Sequence, residues 1–124
     1  MRLKYLIAAA ALLTPAMASA QSMNAQRFYD RANQLQKKGM MAIFSGDVKK
    51  MMNEGKNAAD ASRNQRLAAL KAGRKPRYCP PEGPQKMSTE EFMKRLGAIP
   101  AADRSRIDMT EAMTRILIVK FPCR

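Results

Sequence analysis

Met87-Ser88-Thr89-Glu90-Glu91-Phe92-Met93-Lys94-Arg95-Leu96-Gly97 decides the fold class. Ser88 stands where a helix N-cap belongs, and Glu91 three positions on completes a capping box. Met87 and Phe92 flank that cap as a hydrophobic staple would place them. A helix is therefore expected from Thr89 to about Leu96, ended by Gly97. The device recurs in Asp108-Met109-Thr110-Glu111, with Ile107 before it and Ala112 in the opposing place. Met109, Ala112, Met113, Ile116, Leu117 and Phe121 then form the apolar face of a last helix, and Pro122 stops it ahead of Cys123. Ile116 to Val119 is β-prone, yet the cap and the spacing favour helix. Between the two caps, Ile99-Pro100-Ala101-Ala102-Asp103-Arg104 opens a short helical turn with Pro in its first turn.

Working toward the N-terminus, Arg74 to Pro84 holds four prolines and Gly83 and reads as a loop tied down by Cys79. Before it, Asp47 is expected to cap a long helix toward Lys71 that ends at Gly73. Its apolar side is Val48, Met51, Met52, Ala58, Ala59, Leu67 and Leu70. Gly55, Ala59 and Ser62 recur at helical spacing; close approach of another helix is one account, and a weakly apolar, exposed middle section is the favoured one. Met40 to Phe44 is a short apolar patch. Earlier still, Asn24 caps a helix with Phe28, Ala32 and Leu35 on one face, and Gly39 stops it after Lys37-Lys38. The expected class is all-α: a small bundle of about four to five helices.

Residues 1–20 read as a secretory signal: cationic Arg2 and Lys4, an apolar run through Leu13 too short to span a bilayer, and Ala18-Ser19-Ala20 for the peptidase. Cleavage near Ala20 would deliver a periplasmic or secreted chain. In such an oxidising compartment Cys79 and Cys123, with one pairing open to them, read as a disulfide closing about 45 residues, worth roughly 4 kcal/mol. A reactive or metal-binding pair is the competing reading, weakened by the long spacing and the lack of any His.

The whole chain carries 23 Lys/Arg and 10 Asp/Glu; without Arg2 and Lys4 the net charge is about +11. Segment 21–77, with Tyr78, holds 13 basic and 4 acidic residues, whereas 79–124 holds 8 and 6. The basic excess thus belongs to a helical segment, 21–77, and the rest, 78–124, forms a disulfide-closed module. An exported polycation meets lipopolysaccharide, acidic glycan or an acidic protein before it meets nucleic acid. The aromatics are too sparse for a base-stacking surface, so no nucleic acid is expected. Arg27, Arg31, Lys37, Lys38, Lys49, Lys50 and Arg63 are the candidate anion contacts.

Without His or Trp the usual triads are missing, and Asp47, Glu90, Glu91, Asp108 and Glu111 sit in first turns, where helix ends attract negative charge. No catalytic residue, metal site or cofactor is assigned, and the chain does not read as an enzyme. Nine methionines remain after the leader, including Met40-Met41 and Met51-Met52. Thioethers can bind Cu(I), but packing and adaptable surfaces account for them better.

Tyr78-Cys79-Pro80-Pro81-Glu82-Gly83, Ser88-Thr89, Ile99-Pro100, Met109 to Ala112 and Phe121-Pro122-Cys123, taken in that order, resemble the Rap1a/Tai family of immunity proteins. The resemblance covers Tyr78 to Cys123, and segment 21–77 has no counterpart in it. It implies a periplasmic helical protein, often a homodimer, that binds and blocks a cell-wall amidase delivered by type VI secretion. Arg77, Tyr78, Glu82 and Lys86, on and beside the proline loop, are the candidate contacts for such a toxin hydrolase. The alternative is a cationic envelope protein that binds polyanionic lipid or glycan.

Overall fold

The computed structural model describes residues 22–124; the secretory signal expected over residues 1–20 falls outside the described residues. Among the described residues the chain is all-α and carries one disulfide, Cys79–Cys123.

Helix α1 (Ala25–Lys37) starts where Asn24 Oδ1 accepts from Arg27 N at 3.1 Å. Gly39, at φ 59°, takes the left-handed turn that ends it, and a 3-10 helix (Gly39–Phe44) follows. Helix α2 (Gly46–Lys71) is capped by Ser45, whose hydroxyl accepts from Asp47 N, and not by Asp47 as the sequence suggested. Asp47 lies inside the first turn, where its carboxylate is free to pair with Arg31 of α1. That pair ties the first two helices together.

Helix α3 (Thr89–Ala98) has the expected cap, with Glu91 N donating to Ser88 Oγ at 3.1 Å. Gly97 does not end it; the helix runs one residue further in ordinary geometry. Space is the reason for this glycine, because a Cβ there would stand 2.9 Å from Tyr29 Oη. The short α4 (Ala101–Arg104) follows Pro100, and α5 (Met109–Lys120) begins where Glu111 N donates to Asp108 Oδ1 at 2.8 Å.

The starts of α1 and α5 lie side by side. Ala25 N donates to Ile107 O at 2.9 Å and Met109 N to Met23 O at 2.7 Å, a one-residue antiparallel bridge. Two N–H groups that a helix start would leave open are thereby satisfied.

One core draws on both halves of the chain: Ala25, Phe28 and Leu35 of α1, Met51 and Ala58 of α2, Leu96 of α3, and Met109, Ala112, Met113 and Ile116 of α5. Phe28 meets Phe92 edge to face at 5.9 Å between centroids. The most extensive helix contact is α2 against α5. Small residues permit it: Ala58 and Ser62 are both buried there. The middle of α2 is therefore a packing surface and not the exposed stretch favoured from the sequence. Ser62 Oγ lies 2.8 Å from Thr114 Oγ1 and 3.4 Å from Tyr78 Oη, so the buried hydroxyls satisfy one another.

Candidate binding site

The proline loop runs from α2 to α3 and is fastened at its middle. The disulfide joins Cys79 to Cys123 with Cα atoms 4.9 Å apart, and Cys79 N donates to Phe121 O at 2.8 Å. Just before the disulfide, Arg77 makes a bidentate pair with Glu111 of α5, at 2.6 and 2.8 Å. Glu82 and Lys86 are exposed beyond it.

Tyr78 has a different place from the one its sequence position suggested. It is 4% exposed, with its hydroxyl on Ser62 and the Arg66 guanidinium over its ring at 5.7 Å. It anchors the loop and presents no ring to a partner. Of the four candidate contacts, Arg77, Glu82 and Lys86 face solvent.

The cationic candidates divide in the same way. Arg31 is held by Asp47 and Gln34. Arg27, Lys37, Lys38, Lys49, Lys50 and Arg63 are exposed, and among the described residues none is ion-paired. Apart from Arg31–Asp47, every ion pair among the described residues uses a carboxylate of residues 79–124. The basic excess of the first half is thus free at the surface. Two of its lysine pairs bracket the 3-10 helix, whose Met40, Met41, Ile43 and Phe44 are between 66% and 88% exposed.

No family model, curated protein or solved structure matches the chain. The functional reading therefore rests on the residues themselves.

One feature of the surface had no single sequence signal. An apolar groove of about 560 Å³ lies between α1, α2, α3 and α5, and five methionines line it: Met51, Met52, Met87, Met93 and Met113. Those five come from three helices and a loop, so only the folded chain assembles them. Lysines 56, 86 and 120 stand among the lining residues, and no acidic residue does.

Two carboxylates near these surfaces are perturbed. The Arg77 hydrogen bond is the main influence holding the Glu111 carboxyl below its ordinary 4.5, with Arg115 adding to it and partial burial opposing. Lys120, then Arg95, does the same for Glu91. Both carboxyls bind protons less readily folded than unfolded, so their stabilisation is complete above pH 4.5 and is lost as pH falls through the lowered values. The urea midpoint is expected to stay level from pH 7 to about 5 and then fall. Glu111→Gln should cost about 1 kcal/mol or less at pH 7 and flatten the acid limb. An unchanged acid limb in that variant would show that the Arg77–Glu111 pair contributes nothing to folding.

Proposed function

We propose that this is a non-enzymatic binding protein of an oxidising, extracytoplasmic compartment, of the immunity-like kind, which acts by occluding the cleft of a secreted hydrolase. The observation that carries the reading is the fastened loop. The disulfide, the Cys79–Phe121 hydrogen bond, buried Tyr78 and the Arg77–Glu111 pair all hold one short segment, and Glu82 and Lys86 project beyond it. A loop ordered before it meets a partner loses little entropy on binding, which is what an inhibitory contact needs. The order of elements from Tyr78 to Cys123 supports the same reading, since loop, capped helix, proline turn, capped helix and closing Cys123 follow as the family resemblance implies. The free cationic surface of 21–77 would speed the approach of an acidic partner.

The test is capture from envelope extract on the oxidised mature protein, followed by a competition assay on any cell-wall amidase recovered. Expected is a one-to-one complex that suppresses hydrolysis, with Glu82→Arg and Lys86→Glu together weakening it at least tenfold. Recovery of no hydrolase, or undiminished hydrolysis in the complex, rejects the reading.

A second reading has its own observation, the unpaired Lys37-Lys38 just before an exposed apolar 3-10 helix and Lys49-Lys50 early in α2 after it. They suit a polyanionic lipid or glycan. Such binding weakens steeply with salt and ignores partner shape. Affinity that holds at high salt for a single folded partner excludes it.

A further inference from the structure

The groove between α1, α2, α3 and α5 is bordered by the end of the proline loop, Gln85 to Met87, and needs its own explanation. Its volume of about 560 Å³ falls inside the range of about 300–1,000 Å³ typical of small-ligand pockets. A protein partner of ordinary affinity would cover about 800 Å² of surface, a broad contact and not one concavity. The walls are mainly aliphatic, aromatic and thioether, the last able to repack around a flexible guest, with Gln36, Gln85, Ser88 and Thr89 among the lining.

Charge narrows the occupant. Lys120 is already tied to Glu91, at 2.7 Å, whereas Lys56 and Lys86 are exposed and unpaired among the described residues. Two free lysines among the residues of a mainly apolar groove match a molecule with an apolar body and one anionic end. A second copy of this chain is a poor match, because each copy brings about +11 to a lysine-rimmed contact. We infer that the groove binds one acyl chain of a long-chain carboxylate, with the carboxylate between Lys56 and Lys86.

Gly55 supplies a clean probe. It lines the groove from the middle of α2, and a Cβ there meets nothing within 4 Å. Its backbone is ordinary helix, so a larger residue fills the groove while the helix gains intrinsic propensity.

The experiment is calorimetric titration of the oxidised mature protein with decanoate, dodecanoate and tetradecanoate below their micelle thresholds. Affinity should rise about tenfold for each added pair of methylenes. Gly55→Phe should abolish binding with a melting temperature at or above wild type. Lys56→Glu, which leaves the loop contact Lys86 untouched, should weaken dodecanoate at least tenfold and leave dodecanol unchanged. Four results overturn the inference: no binding, no dependence on chain length, binding that survives Gly55→Phe, or a wild-type dimer that Gly55→Phe dissociates. Binding confined to anionic vesicles and equal in both proteins overturns it too, and assigns the lipid contact to the outer cationic surface. None of these results bears on hydrolase inhibition, so the two readings fail separately.

Discussion

Replacing both cysteines, Cys79→Ser with Cys123→Ser, should lower the unfolding free energy by about 4 kcal/mol. The bond separates its partners by 44 residues, and in the chain-entropy account closing so long a loop removes that much freedom from the unfolded state. For a domain of this length the melting temperature should drop by about 20 °C. The damage has a definite place. Without the bond, the Cys79–Phe121 hydrogen bond and the last turn of α5 lose their clasp, while the α2–α5 contact around Ser62 and Thr114 remains. Hydrogen exchange in the double variant should therefore rise first at residues 76–86 and 118–124. Both cysteines are exposed, so dithiothreitol should reproduce the substitution in the native protein. A loss below 1 kcal/mol would mean that the loop is held without the disulfide, by Tyr78 and Arg77.

What the sequence made legible was local. Ser88, Asp108 and Asn24 act as caps because a side-chain oxygen needs only the N–H two or three residues on, and all three appear as read. Gly39 and Gly73 are where the chain turns left-handed, for an equally local reason. The misreadings concern residues whose role depends on distant partners. Gly97 looked like a helix stop, but Tyr29 of another helix explains it. Tyr78 looked like a loop contact, but Ser62 and Arg66 of α2 bury it. Asp47 looked like the cap of α2, but Ser45 caps it and Arg31 of another helix takes the Asp47 carboxylate. The groove was invisible for the same reason, since Met51, Met87, Met93 and Met113 meet only after three helices and a loop have packed. The candidate loop was legible because Cys79, the prolines and Cys123 mark it in the chain. What its residues do there was only partly so.

Arg104→Ala should cost about 3 kcal/mol, a loss near that of a large core truncation. Arg104 read only as the end of a short helical turn; in the fold it is 7% exposed. Its guanidinium donates to the carbonyls of Gly97 at 3.0 Å, Leu96 at 3.4 Å and Ile99, and to Gln26 Oε1 at 2.8 Å. It also lies 4.2 Å from the centroid of the Tyr29 ring. The carbonyls that accept from it cluster at the C-terminal end of α3, where the helix dipole is negative. No carboxylate is needed to balance this buried charge, because a helix end and an aromatic face do so. Arg104→Lys keeps the charge but has one nitrogen to reach groups that the planar fork spans together, and should recover less than half of the loss. Arg106→Ala, exposed two residues on, should stay within about 0.5 kcal/mol of wild type. Urea denaturation of the three variants checks the order. Gly97→Ala acts on the same assembly by pushing the Tyr29 ring off the guanidinium, so the double variant should cost less than the sum of the two single costs. Strict additivity in that pair, or a fully stable Arg104→Met, would mean that the carbonyls are satisfied by water and that the arginine only fills space.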